Sequence, residues 1–268
     1  MNRIDRIFRD LRARNAKALM PFVCGGFPGI ESTGPVLAAL ERAGASIIEV
    51  GIPFSDPIAD GPVIAAAMHT ALTRGVTPEA IFERVGSARA GLSVGLIAMV
   101  SVSIVHRMGP AAFAKRATHA GFDGVILPDV PLEEAEAALA PMREAGLSVS
   151  LLIAPNTPAD RAEKIARACS GFVYLMARMG ITGTRDRLDA APLAGRIRAL
   201  REVTDLPIAC GFGVSNAEHV RAVVSAPPGG AGADAAIVGS ALVRKMANAP
   251  DPVDVAGSMV RGLAGGLS

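Results

Sequence analysis

The chain has 268 residues, half of them hydrophobic and 19% charged, with a net charge of +2, so a sizeable apolar core is available. With no Trp and one Tyr stacking platforms for bases are nearly absent, and its cations are dispersed. Only "RIDRIFRDLRAR" (3–14) is locally rich in Arg, and its alternating signs at helical spacing read as a solvated helix face, which argues against nucleic acid as a partner. No apolar h-region opens the chain. The longest apolar stretches, such as "GLSVGLIAMVSVSIV", are broken by Gly and Ser and fall short of the roughly 18 to 20 residues of a membrane span. A soluble, cytoplasmic protein is expected. Cys24, Cys169 and Cys210 are an odd count without metal-like spacing, each in or beside an apolar run, and read as buried reduced thiols.

In chain order, a helix over about 2–14 comes first, followed by "ALMPFVC", the first of eight short apolar runs. The others are "ASIIEVG", "SVGLIAMV", "DGVILPD", "SVSLLIAP", "GFVYLMA", "DLPIACG" and "DAAIVGS". Several follow a helical stretch and a Gly turn, as in "LERAGASIIEVG" and "THAGFDGVILPD". Near-continuous rather than alternating apolar runs mark strands covered on both faces, hence parallel. Helix starts stand between them: "TPEA" at 77, "PLEEAEAAL" at 131 and "TPADRAEKIA" at 157, where Thr or Pro precedes acidic first turns. The pattern predicts a single (β/α)8 TIM barrel over 1–268, with the additional N-terminal helix covering its bottom. A doubly wound open sheet is the rival, but none of the eight runs reads as an edge strand. One long connection, "RMGITGTRDRLDAAP" (178–192) after the sixth run, has the length of a lid or binding loop.

Barrel chemistry gathers at the C-terminal strand ends. There the second run carries Glu49, with Asp56 and Asp60 in the following loop; the fourth ends in Asp129; the sixth contains Tyr174 and ends at Arg178. Lys17, Lys115, Lys164 and Lys245 all lie elsewhere, which argues against a Schiff base. His69, His106, His119 and His219 sit in helical stretches without metal-ligand spacing. Carboxylate acid and base work remains. A Glu inside an apolar strand is desolvated and its pKa raised, so Glu49 reads either as an acid/base or as a structural glutamate bonded inside the barrel. Asp60, before Gly61 and Pro62, reads equally as a catalyst or a helix cap, while Asp56 reads as a turn former. At the other side, the turns "ACGFGVS" and "IVGSALV" each open a helix and place Gly213, Gly239 and Ser240 around a candidate phosphate site.

Together the residues resemble the tryptophan synthase α subunit family. The resemblance rests on "PFVCGGFPG", "IIEVGIPFSDPIADGPVI", "GFDGVILPDVPLEE", "APNTPADR", "GFVYLMARMGITGTR", "LPIACGFGVS" and "AAIVGSALV", in order from about residue 20 to 245. It implies cleavage of indole-3-glycerol phosphate to indole and glyceraldehyde 3-phosphate. No cofactor is implied in this chain; pyridoxal phosphate would belong to a β subunit partner in an α2β2 complex. It further implies Glu49 as general acid/base and Asp60 at the indole N–H. Phe22, Ile64, Tyr174 and Phe212 would line the ring, Thr182 and Gly183 form a lid, and Gly213, Gly239 and Ser240 hold phosphate. Asp56, Pro57 and Asp129 would lie at the partner interface. Two positions depart: "SVSI" (101–104) stands where the family has Tyr-Tyr-Asn-Pro after the third strand, and Cys24 replaces a usual Thr. The first departure alters an aromatic pocket wall and a loop near the partner. A stand-alone lyase releasing free indole, and a non-catalytic subunit that activates a partner, are the alternatives; the retained Glu49 and Asp60 argue against the second.

Overall fold

The structure, a computed structural model, describes residues 2–57, 60–177, 190–211, 213–225 and 232–267. Helix α1 (Arg3–Ala13) begins with a reciprocal cap: Asn2 Oδ1 accepts from Ile4 N–H at 2.9 Å and Asp5 accepts from Asn2 N–H at 3.2 Å, satisfying two otherwise orphan donors. Strand β1 (Ala18–Cys24), α2 (Thr33–Arg42), β2 (Ile47–Gly51), α3 (Pro62–Thr73) and α4 (Pro78–Arg89) follow. Next come β3 (Gly95–Met99), α5 (Val102–Met108), α6 (Pro110–His119), β4 (Gly124–Leu127), α7 (Leu132–Glu144), β5 (Ser148–Ile153) and α8 (Ala159–Ala168). The chain ends with β6 (Val173–Met176), α9 (Ala190–Val203), β7 (Ile208–Gly211), α10 (Ala217–Val224), β8 (Ala235–Val238), α11 (Ser240–Ala247) and α12 (Pro252–Ala264).

All eight predicted runs are strands, and each pairs in parallel with the next. β8 closes on β1 through Leu19 opposite Ala236 and Met20 opposite Ile237. Closure rules out the open-sheet alternative and explains the missing edge signals: every strand is flanked on both sides and buried on both faces, so polar alternation has no place. The expected thiols are all buried and free. Among the described residues no helix is long and apolar enough to cross a membrane.

The N-terminal helix covers the barrel bottom, as expected. Ile4 is fully buried, and a methyl group placed on Gly95, the first residue of β3, would stand 2.7 Å from Ile4 Cδ1. Its arginines do more than face solvent, which corrects the composition reading. Arg3 Nε donates to Asp123 at 3.1 Å, while the Asp123 carboxylate also accepts from Leu96 N–H at 2.9 Å. Arg12 and Arg201 converge on Asp234, which also takes the N–H of Ile208 at 2.8 Å. Burial opposes the charge on Asp234, but these partners outweigh it and hold the carboxyl below its ordinary range. These contacts lie ahead of the strands, at the end of the barrel away from the candidate chemistry.

Two further boundaries differ from expectation. β6 stops at Met176, and Arg178 lies outside the described residues, as does most of the long connection that follows. The segment after β3 is not a loop: Ser101 is the N-cap of α5, its hydroxyl accepting from Ser103 N–H at 3.2 Å. Serine competes well for that position because its short side chain replaces a missing intrahelical partner.

Candidate active site

Glu49 is the third residue of β2, in register with Phe22 on β1 and Ile97 on β3. It is 1% exposed, and among the described residues its Oε1 makes no hydrogen bond. An oxygen left without a partner among the described residues suits a proton-transfer group better than a structural glutamate bonded inside the barrel. Burial first, and the nearby Asp60 second, push its carboxyl up to about 8; near neutrality the side chain is a proton donor.

Asp60 stands between β2 and α3. The cap reading fails: the N-cap of α3 is Gly61, without a side-chain bond, and Pro62 starts the helix. Asp60 instead donates its N–H to Pro57 O at 3.0 Å, and burial followed by the like charge of Asp129 pushes its carboxyl up to about 6. Two carboxyls in one site are thus held at different charge thresholds, which separates an acid from a base. Asp60 also influences Cys24 and Tyr174, whose own ionisation is suppressed chiefly by burial. The barrel interior therefore joins Glu49, Asp60, Tyr174 and Cys24 in one electrostatic environment.

A pocket at the C-terminal mouth brings together Asp56, Pro57, Asp60 and Asp129 with Ser101 and Met99. Asp56 is exposed and accepts from Ser55 Oγ at 2.5 Å, the behaviour of a turn residue. Asp129 accepts from Ser101 Oγ at 2.6 Å and from Val102 N–H at 2.8 Å. The ring-side residues assemble as well. Phe22, Ile64 and Tyr174 are buried, and a methyl group at Gly239 would lie 3.5 Å from Phe22 Cβ and 3.7 Å from Ile64 Cδ1. The Phe22 ring packs directly on Gly51, where a methyl group would come within 2.5 Å of Phe22 Cζ and force the ring to move. Phe212, Thr182 and Gly183 lie outside the described residues.

The two glycine turns differ. After β7, Gly213 is exposed with φ of 87°, a conformation that favours glycine, and α10 has its own cap, Asn216 Oδ1 accepting from His219 N–H at 2.8 Å. After β8, α11 starts at Ser240 with Gly239 as N-cap and no side-chain bond. The N–H groups of Leu242 and Val243 turn back to Gly239 O at 2.9 and 3.1 Å. The first-turn N–H groups ahead of them suit an anion. The head of α11, at Gly239 and Ser240, therefore suits a phosphate better than the turn at Gly213.

Sequence reasoning missed Phe54, Met68 and Met99 in the pocket wall, ordinary apolar residues without a local signal. It also missed the bonding of Ser101, although Ser at the head of a helical stretch is an N-cap signal. Among the described residues no cluster of His, Cys, Asp and Glu has a metal-holding arrangement.

A closed parallel barrel with two unlike carboxyls at its C-terminal mouth has the architecture of a (β/α)8 enzyme and suits acid/base chemistry. Comparison with known proteins makes the class particular. The family described as tryptophan synthase alpha chain matches residues 8–261. The tryptophan synthase alpha chain of Synechococcus sp. (strain CC9902) is 43% identical over 90% of this chain and 88% of its own length. That of Thermosynechococcus vestitus is 42% identical over 93% and 91%. A solved tryptophan synthase subunit alpha from Legionella pneumophila superposes with a TM-score of 0.89 at 30% identity, covering 100% of this chain and 98% of that one. A tryptophan synthase structure from M. tuberculosis gives 0.87 at 29% identity, covering 100% of both. The chain belongs to the tryptophan synthase alpha chain family, and so to an enzyme family of tryptophan biosynthesis.

Proposed function

We propose that this chain is the lyase subunit that cleaves indole-3-glycerol phosphate to indole and glyceraldehyde 3-phosphate by a retro-aldol reaction. The observation that carries the reading is the buried Oε1 of Glu49, without a partner among the described residues, with Asp60 nearby. Cleavage requires a proton delivered to indole C3 and another removed from the hydroxyl of the adjoining glycerol carbon. The electrons of the breaking carbon–carbon bond then remain with the ring, and that hydroxyl becomes the aldehyde. A carboxyl protonated near neutrality gives the first proton, and as carboxylate takes the second. Asp60, ionised at lower pH, stabilises the positive charge that C3 protonation places on the ring nitrogen. Phe22, Ile64 and Tyr174 supply the apolar wall for the indole, with Phe212 completing it. Gly239 and Ser240, with Gly213 nearby, receive the phosphate, and Thr182 with Gly183 belong to the lid.

The chain acts in the cytoplasm without a cofactor of its own. It passes indole to a β subunit that carries pyridoxal phosphate, in an α2β2 assembly contacted through Asp56, Pro57 and Asp129. The testing experiment is indole release from indole-3-glycerol phosphate, with and without a β subunit. Glu49→Gln keeps the shape but not the proton, and should lower turnover roughly 10²- to 10⁴-fold with KM changed far less. Near-normal turnover in that variant would overturn the assignment. Wild-type turnover that the β subunit leaves unchanged would instead favour a stand-alone lyase, a reading that the altered 101–104 segment also allows.

A further inference from the structure

Position 101 shows a polar arrangement in place of an expected aromatic wall. Ser101 is 6% exposed. Its hydroxyl does two things at once: it accepts from Ser103 N–H at 3.2 Å as the cap of α5, and donates to Asp129 Oδ2 at 2.6 Å. The other carboxylate oxygen, Oδ1, is held by Val102 N–H at 2.8 Å. Both oxygens of Asp129 are thereby fixed from the α5 side, and the carboxylate is set into the wall of the same pocket that Asp60 lines.

We propose that Ser101 is a positioning residue for the cleavage reaction: through the Asp129 carboxylate it holds in the pocket wall, it governs the charge that Asp60 presents to the substrate ring. The inference rests on the role given to Asp60 above. A like charge fixed nearby opposes ionisation of a carboxyl, and Asp129 is the charged neighbour that acts on Asp60 in this way, after burial. The other titratable groups facing Asp60 are Glu49 from β2, Cys24 from β1 and Tyr174 from β6, with Asp56 on its own loop in the same pocket. Cys24, pushed up to about 12, and Tyr174, raised well above 10, stay neutral at working pH. Glu49 titrates at about 8, on the alkaline side. The acid side of the activity profile therefore isolates the coupling between Asp60 and Asp129. Without the Ser101 hydroxyl, Asp129 keeps one bond and is repelled outward, so Asp60 ionises more readily and the acid limb falls.

The test is the pH dependence of kcat/KM for indole release in the wild type and in Ser101→Gly, Ser101→Thr and Asp129→Asn. Glycine is used because it is tolerated at an N-cap and deletes only the hydroxyl; circular dichroism melting verifies that each variant is folded. Asp129→Asn should lower the acid limb by on the order of one pH unit. Ser101→Gly should move it in the same direction by a fraction of that, and Ser101→Thr should keep the wild-type limb. The alkaline limb should stay in place throughout. A folded Ser101→Gly with an unmoved acid limb makes Ser101 a helix cap only and overturns the proposal; an unmoved limb in Asp129→Asn overturns it as well. Asp60→Asn separates the two levels. If it retains normal turnover, the role of Asp60 itself is wrong; if it loses turnover while the Ser101 limb stays fixed, only the positioning role fails.

Discussion

Glu49 is a carboxyl that the barrel makes expensive to charge, and its chemistry follows from that cost. Burial raises it to about 8, whereas Asp60, also raised but less, reaches about 6. If Glu49 must be protonated and Asp60 ionised, kcat/KM is bell-shaped, rising through about 6 and falling through about 8. A pH profile of indole release checks this, and activity increasing steadily into alkaline solution would exclude Glu49 as the initial acid. The same pair shows how far residue types in a sequence can be read. Three acids within residues 49–60 flagged the site, but helix cap and catalyst were equally compatible with "ADGP". Only the geometry, with Gly61 as the unassisted cap of α3, removes the cap, because capping depends on where a side chain points and not on its spacing.

Among the helices, α11 and α10 show why two similar glycine turns can have different uses. Asn216 occupies the donors at the head of α10, and no side chain does so at α11. Ser240 is the first residue of α11, so a carboxylate there would face the same N–H groups and field that favour a phosphate. Ser240→Asp should therefore raise KM for indole-3-glycerol phosphate. Glycerol phosphate should protect the wild type, but not this variant, against thermal unfolding. Equal protection of both would move the phosphate away from α11. α5 is the element that sequence reading placed least well. Its seven residues carry too short an apolar pattern to declare a helix, and its cap became visible only with Asp129 beside it.

Across the whole molecule, stability and chemistry sit at opposite ends of the barrel. At the bottom, α1 and the ion pairs of Asp123 and Asp234 brace the strand starts; at the mouth, a buried carboxyl whose Oε1 has no partner among the described residues is a destabilising feature that the core must offset. Its effect has a definite sign. Glu49 is raised from about 4.5 to about 8 in the folded state, so between those values the native protein binds more protons than the unfolded chain. The stability that goes with its protonated form is fully present below the unfolded value and is lost as pH rises through the folded one. The melting temperature of Glu49→Gln relative to wild type should therefore increase between about pH 5 and pH 9. A difference independent of pH across that interval would show that Glu49 titrates normally in the folded protein.

The sequence by itself determined the eight-stranded parallel barrel, since strands buried on both faces must be written as unbroken apolar runs, and "VILPD" or "AAIVG" admit little else. It also determined which acids could work, because a glutamate inside such a run, as in "IIEVG", has no solvent to charge it. The motif "GIPFSDPIADGP" points to the family by itself. Tertiary structure alone decided that Glu49 Oε1 has no bond among the described residues, that Asp60 does not cap α3, and that Ser101 and Asp129 are joined across residues far apart in the chain. It also turned the arginines of α1 from a solvated face into braces for Asp123 and Asp234. The physical reason is common to all four: periodicity records which side of an element is buried, whereas hydrogen bonds and charge coupling depend on which elements closure of the barrel makes neighbours.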